Sequence, residues 1–330
     1  MAGCFYGCPA HSEPAVLRMA GSLLGGEMDK PYKSIEQQIE LLESRGVATD
    51  GNTPAILLRE GYYSIVNGYK APFIDAAATA AAKDDRYASG TKFADIYALF
   101  LFDRSLRETT FHYLIRAEAL VRTVCSYTFS EQHRGSDDYL KQDNFATEDE
   151  YKRFGLRGYV YNMQKLHKAL FEKATKSNRD FILHYRTNYG WVPLWVLAND
   201  LTFGNIEHFF NLMRPAEQAT VCRRIVEATG MTGGELGFFS PKEMRIGLDI
   251  VVKARNMCAH DERMYCARIG KRKNASYLAF LSHLRRYLSE PEFVELAAKI
   301  NSHVETYSGK SDIVAHILNE MGFSAKRLSR

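Results

Sequence analysis

The sequence has few prolines and no regular alternation of apolar and polar residues. Only nine prolines occur in 330 residues, and none lies between Pro72 and Pro193, so long helices can form there without interruption. No Asn-Gly or Asp-Gly turn joins two β-branched runs, and the one Asp-Gly, at 50–51, leads into a helix-like segment. These absences argue against a β-rich protein and predict an all-α fold.

The sequence also lacks the signatures of a membrane or secreted protein. No apolar run approaches the roughly 20 residues that span a bilayer, so we expect no membrane partner. The six cysteines have no paired spacing and no secretory signal is present, which favours a reducing cytoplasm. Cys4, Cys8 and His11 lack the second half of a zinc site. No metal and no cofactor is therefore expected.

Common enzyme motifs are missing too. A Walker phosphate loop and a GxSxG elbow are both absent, which argues against P-loop NTPases and α/β-hydrolases. The net charge is only +4, but basic residues cluster in the last quarter of the chain. Such clusters are typical either of a site that binds a polyanion or of an ordinary solvated surface. Candidate RNA contacts in the cluster at 269–274 are Lys271, Arg272 and Lys273.

Helix start and stop signals predict where several helices of the chain lie. Ser34 and Gln37 form a capping box that begins a helix, and Gly46 is a natural stop. The first 28 residues have no periodicity, so the compact fold is expected to begin near Met28. Residues 76–85 predict a surface loop or a short irregular helix. Further helices are predicted at 93–129, 150–175, 193–213 and 215–228.

Two of these helices contain residues with more than one interpretation. Glu118 and Arg122 lie one turn apart on the helix at 93–129, where a surface ion pair is the simplest reading. Trp191 and Trp195 open a strongly apolar stretch. They could stack on nucleobases, but this apolar context favours packing in the core.

The segment 254–263, ARNMCAHDER, closes an otherwise apolar helix that Ser240, Pro241 and Glu243 predict to begin at 241. At about 100° per residue, Arg255 falls on the buried stripe of that helix, where an unpaired guanidinium is costly. It therefore needs an anionic partner from this chain, a second chain or a ligand. Asn256 and His260 fall on a polar face.

An arginine, an amide and a histidine are sufficient for metal-free cleavage of RNA. The histidine can move a proton to or from the 2′-hydroxyl or the leaving oxygen near neutral pH, and the arginine can stabilise charge on the phosphate. Five helical residues separate Arg255 from His260 by about 140° and 7.5 Å of rise. Either the helix ends near Ala259 and the chain turns, or two copies face each other across a two-fold axis.

This sequence resembles the Abi-like family of abortive-infection proteins and, through RNMCAH, the HEPN ribonuclease superfamily. The family motif is an arginine, usually followed by a polar residue, with four to six residues between the arginine and a histidine, and Arg255, Asn256 and His260 match it. Three further stretches resemble family segments in the same order, and many relatives carry a second histidine where this chain has Asp261. Those stretches are REGYYSIVNGYKAPF at 59–73, FDRSLRETTFHYLIRAEALVRTVCSY at 102–127 and PLWVLANDLTFGNIEHFF at 193–210.

The resemblance implies an all-α HEPN-type helical bundle with an additional N-terminal helical region. We therefore expect an irregular extension at 1–28, an N-terminal helical region at 29–90, a HEPN-like core at 91–300 and a C-terminal helix with a basic tail at 301–330. The resemblance also implies RNA cleavage without metal, pairing of the motifs in a homodimer, and a growth-arresting toxin in phage defence, regulated by an antitoxin RNA or protein. Glu118 and Arg122 become supporting residues, since a glutamate on a neighbouring helix could hold Arg255 or align His260.

Two other functions remain open at this stage. One is a non-catalytic RNA-binding or scaffolding protein, in which Arg255 makes a structural ion pair and His260 faces solvent. The other is a metal-dependent hydrolase, which finds little support because its ligands are too closely spaced to converge from one helix and no HExxH or paired CxxC pattern accompanies them. Those ligands would be Cys258, His260, Asp261 and Glu262.

Overall fold

A computed structural model describes residues 32–231, 239–271, 274–320 and 322–323. Within these ranges the chain is helical and forms no strand, which confirms the all-α prediction; only isolated bridges, such as the one between Ile269 and Ala275, interrupt the pattern. The predicted extension at 1–28 lies outside the described residues. None of the described helices combines the length and apolar composition needed to cross a bilayer.

Fourteen α-helices are assigned within the described ranges. They are α1 Ile35–Ser44, α2 Thr53–Glu60, α3 Ala76–Ala82, α4 Phe93–Gln132, α5 Glu148–Arg153, α6 Tyr159–Lys176, α7 Asp180–Tyr189, α8 Leu194–Leu197, α9 Phe203–Leu212, α10 Pro215–Thr229, α11 Pro241–Ala259, α12 Tyr277–Leu284, α13 Glu290–Ser308 and α14 Asp312–Glu320.

The chain divides into two compact units. Among the described residues, the first contains those up to Leu106, Tyr265–Ala267 and those from Ile300 onward, and the second contains those of Arg107–Met264 and Arg268–Lys299. In the first unit α1 packs against α2. In the second unit α11 packs against α9, α10 and α12, so the helix that ends in ARNMCAH is central to the second unit.

Local capping signals are confirmed where the sequence shows them. Ser34 and Gln37 close a capping box at the start of α1, and Ser240 with Glu243 does the same for α11. Pro215 occupies the first turn of α10, as predicted. Side-chain oxygens here satisfy N–H groups that a helix start leaves without partners.

Two predicted helices are divided in the structure. The stretch 150–175 contains α5 and α6, separated where Gly155 and Gly158 take φ values of 77° and 75°, which L-residues rarely adopt. The stretch 193–213 contains α8 and α9, because Thr202 is extended and caps a new helix with Asn205. Continuous apolar periodicity concealed both breaks.

The expectation that both tryptophans are core residues is wrong. Trp191 is 37% exposed and Trp195 is 41% exposed, whereas Leu194, Val196 and Leu197 of the same short helix are buried. Trp195 therefore lies on the outer side of α8, although every neighbour in the sequence is apolar.

Candidate active site

The motif segment lies at the end of α11. Met244, Leu248 and Val251 are fully buried and define the core-facing stripe of this helix. Arg255 continues the stripe one turn later, where its side chain is still only 30% exposed. Packing of the apolar residues thus places the guanidinium at the edge of the core.

Arg255 obtains its anionic partner from this chain. Its Nε donates to Oε2 of Glu118 at 3.1 Å, and Nη2 of Arg122 donates to Oε1 of the same carboxylate at 2.7 Å. The Glu118 side chain is only 7% exposed. One carboxylate joins the two arginines, so the trio keeps an excess of one positive charge at neutral pH.

The outer edge of the Arg255 guanidinium remains available. Its one hydrogen bond to a described residue uses Nε, and the ring of Phe111 lies 6.0 Å from its central carbon. Within the described residues, Nη1 and Nη2 have no hydrogen-bond acceptor. Two parallel N–H groups are the donors that bind a phosphate oxygen pair.

His260 is the residue at which α11 ends. Its backbone N–H donates to the carbonyl of Asn256 at 2.9 Å, and Asp261 then takes a left-handed φ of 61°. The N–H of Glu262 returns to the carbonyl of Met257 at 2.9 Å, which completes a Schellman-type stop. Of the two geometric alternatives, the structure therefore shows a helix that ends at Ala259 and a chain that turns.

The side chains of Asn256 and His260 are exposed, and neither makes a side-chain hydrogen bond within the described part of the chain. Both can therefore reach a ligand without first breaking an internal contact. Glu118 is hydrogen-bonded to Arg122 and Arg255 and makes no hydrogen bond or ion pair with His260 among the described residues, so the structure supports its role in holding the arginine.

Arg107 is a supporting residue that the sequence did not reveal. Its side chain is 4% exposed, and its Nη2 donates to Oδ1 of Asp261 at 2.7 Å. Arg107 and Glu118 are eleven residues apart on α4, which places them on the same face. This spacing is the one signal that could have identified Arg107 in the sequence. Its ion pair fixes the turn directly after His260.

Asp261 has two separable roles that substitution can test. Asparagine tolerates the left-handed conformation, so Asp261→Asn removes only the charge that Arg107 faces. Asp261→Val removes the charge and also places a β-branched residue at positive φ. We expect the valine variant to lose about 1–2 kcal/mol more free energy of unfolding than the asparagine variant, measured by urea denaturation. Equal losses would show that the backbone conformation is not under strain.

The basic cluster is only partly described. Lys271 is exposed, its backbone N–H donates to Asp249 at 2.7 Å, and its ammonium lies 4.0 Å from carboxylate oxygens of Asp249 and Glu207. These acids compete with any phosphate for its charge. Arg272 and Lys273 lie outside the described residues.

No group of three histidine, cysteine, aspartate or glutamate side chains comes together to hold a metal ion in the described ranges. The side chains named for a metal-dependent hydrolase, Cys258, His260, Asp261 and Glu262, follow one another through the helix stop and do not form such a group. Asp261 is instead ion-paired with Arg107.

Comparison with known proteins identifies the family. The Abi-like protein family matches residues 55–266, a range that includes Glu118, Arg122, the segment with Arg255 and the turn at Asp261. The chain belongs to the Abi-like protein family. No curated protein and no solved structure matches it. Membership suggests that this Abi-like protein has an abortive-infection type of function.

Proposed function

We propose that this Abi-like protein is a metal-independent endoribonuclease of the HEPN type, acting as a toxin in bacterial defence against phage. One observation carries the proposal: Glu118 holds Arg255 by Nε alone, while Asn256 and His260 of the same segment are exposed. A guanidinium with N–H donors that are free within the described residues and an exposed imidazole thus occupy the same helix end. The abortive-infection character of the family supplies the biological setting.

The proposed reaction needs the 2′-hydroxyl of RNA. Attack of the 2′-oxygen forms a new bond to phosphorus and breaks the bond to the 5′-oxygen, leaving a 2′,3′-cyclic phosphate and a 5′-hydroxyl. A base removes the 2′ proton and an acid protonates the leaving oxygen. His260 serves as one of these groups, Arg255 stabilises the charge on the phosphate, and Asn256 orients either one.

The second proton transfer supports a homodimer. One chain supplies one His260, and a two-fold axis through the site would bring a second His260 to the same phosphate. One imidazole would then act as base and the other as acid. In a cell such a toxin needs restraint, and we propose an antitoxin RNA or protein as the partner that provides it in the cytoplasm.

The dimer has a quantitative signature. When wild-type and His260→Ala chains are co-expressed in equal amounts, a composite site leaves only wild-type pairs active, about a quarter of the dimers. Independent sites would leave about half of the activity. Cleavage rates of the mixed preparation, at fixed total protein, distinguish the two. Half activity, or a monomer in sedimentation at active concentrations, would contradict the composite site.

A second candidate is a non-catalytic RNA-binding or scaffolding protein. It is favoured by the Arg255–Glu118 ion pair, which a purely structural arginine would also make. In that case His260 is a solvated surface residue and its loss has no effect. The two candidates differ in one respect, which is whether removing His260 changes the fate of RNA.

Expression in a bacterial host tests the proposal. Wild-type protein should arrest growth and fragment cellular RNA, and Arg255→Ala and His260→Ala should do neither. The chain offers matched controls. Arg285 is 29% exposed, is paired with Glu290 and lies 4.9 Å from the ring of Phe293, and His316 is an exposed histidine of α14. Arg285→Ala and His316→Ala should remain toxic; equal toxicity of all five proteins would eliminate the nuclease.

A further inference from the structure

An open groove of about 690 Å³ lies on the second unit, between the last third of α4, α8 and α10. Its walls include Tyr127, which is 57% exposed, and Trp195, which is 41% exposed. A smaller depression beside it shares Trp195 and adds Trp191. Both tryptophans of the chain therefore border one continuous surface.

The groove combines these aromatic faces with positive charge. Arg134 and Arg224 lie on its rim. Arg224 is neutralised by Glu131 at 2.6 Å. The guanidinium of Arg134 donates only to the Glu131 carbonyl, at 3.3 Å, and no carboxylate within the described residues pairs with it. A cation beside exposed rings is the arrangement that binds a phosphate next to a stacked base.

The helices behind Trp195 add to this charge. Short helix α8 packs against both α6 and α7. Residues 159–189, which form those two helices, contain six basic and two acidic side chains. Asp200 pairs with Lys173 and Arg179, and the other four basic side chains still outnumber the two acids. This local excess of positive charge on α6 and α7 favours a polyanion at the groove.

We infer that this groove is a second RNA-binding site, at which single-stranded RNA stacks bases on Trp195 and Tyr127 and places a phosphate on Arg134. The inference rests on the proposed function, because it assigns the groove to the RNA of that reaction. Nine residues separate Glu118 from Tyr127 on α4, which places them on opposite faces of the helix and about 13.5 Å apart along it. The groove therefore binds RNA away from the scissile phosphate and determines affinity, with no part in the chemical step.

Tryptophan emission reports directly on this site, since the chain has no other tryptophans. The probe is a short single-stranded 2′-O-methyl RNA, which lacks the attacking hydroxyl and stays intact. Its binding should quench the emission of wild-type protein and of Trp191→Phe, in which Trp195 is the sole reporter. Trp195→Ala should bind the probe about tenfold more weakly, and Trp195→Phe should retain most of the affinity.

Kinetics and salt dependence distinguish a role of the groove residues in RNA binding from a purely structural role. Trp195→Ala should raise the KM for cleavable RNA about tenfold and leave kcat unchanged. Arg134→Gln should lower the slope of log affinity against log salt by about 0.7, the contribution of one phosphate on a single strand. Tyr32→Ala, which removes an 87% exposed tyrosine from the first unit, is the matched control and should bind as wild type does.

Three results would overturn the inference. They are unchanged emission at saturating probe, wild-type affinity in a Trp195→Ala protein that has the quaternary structure of the wild type, and wild-type affinity in a Trp195→Ala protein that loses its dimer, which would make the groove a protein interface. If the probe quenches the emission but unmodified RNA is not cleaved, the proposed function is rejected and the RNA-binding groove is supported. If unmodified RNA is cleaved but the probe does not quench the emission, the groove is rejected and the proposed function is supported.

Discussion

Purified His260→Ala protein is expected to cleave RNA about 10²–10⁴-fold more slowly than wild type, which is the usual contribution of a positioned acid or base. The imidazole is exposed and makes no side-chain hydrogen bond among the described residues, so its removal should leave the fold intact. The free energy of unfolding should change by no more than about 0.5 kcal/mol.

This combination of a large kinetic effect and a small thermodynamic one is the signature of a catalytic surface residue. Initial rates on a fluorescent RNA and urea denaturation of the same preparations provide both numbers. The control is His316→Ala, which removes another exposed histidine and should change neither the cleavage rate nor the free energy of unfolding. A His260→Ala protein with the wild-type rate would leave the non-catalytic alternative as the better account.

Glu118→Gln is expected to impair both stability and activity. Glutamine keeps the shape of the side chain but removes the negative charge that faces Arg122 and Arg255. The two guanidinium groups would then repel each other beside a buried amide. Because both arginines are partly exposed and solvent screens them, we expect a loss of about 1–3 kcal/mol in the free energy of unfolding.

The effect of Glu118→Gln on activity follows from the position of Arg255, which Glu118 holds. Arg255 is held by one hydrogen bond to that carboxylate, and a displacement of about 1 Å at a reacting phosphate can cost a hundredfold in rate. We therefore expect about a hundredfold slower cleavage under conditions where the variant remains folded. Raising the RNA concentration should not restore the rate, since the defect lies in the chemical step.

The first unit contains a matched control for Glu118. Glu60 is 9% exposed and also bridges two arginines, with Arg104 at 2.6 Å and Arg59 at 2.7 Å. Hydrogen bonds from Arg104 lower its pKa to about 2, so it is charged at neutral pH. Glu60→Gln should lose stability to a similar degree and keep full activity per folded molecule. If the two variants lose activity equally, Glu118 has only a structural role.

The sequence predicted elements whose causes are local. The capping boxes at Ser34 and Ser240 and the proline at 215 each act within a few residues, and the structure has helices beginning at all three. The division of the stretch at 150–175 was missed because it depends on two glycines, Gly155 and Gly158, that adopt positive φ values in the folded chain. Periodicity records which residues are apolar, but it does not record where the backbone turns.

The site required tertiary information. Arg255 was predicted to need an anionic partner from the projection of α11, yet the partner lies 137 residues away on α4, and no local rule selects it. Resemblance to the family supplied Glu118 as a candidate. The structure supplies the geometry, and it shows that this chain itself provides an anionic partner for Nε of the arginine.

Surface features were the least predictable part of the chain. Trp195 is surrounded by apolar residues in the sequence, but a short helix has one exposed side and the tryptophan occupies it. Arg107 is buried and was missed for a related reason, since its exposed partner Asp261 becomes adjacent only when α11 stops in a left-handed residue. Both features depend on where helices end in space.

The central claim is that the chain cleaves RNA through the 2′-hydroxyl without a metal ion. The most direct measurement uses a DNA oligonucleotide that contains a single ribonucleotide, incubated with purified protein in excess EDTA. We predict one cut, on the 3′ side of the ribonucleotide, giving a 2′,3′-cyclic phosphate and a 5′-hydroxyl, and cleavage about 10²–10⁴-fold slower in His260→Ala. Loss of cleavage in EDTA, cutting of the all-DNA control, or an intact oligonucleotide would contradict the claim.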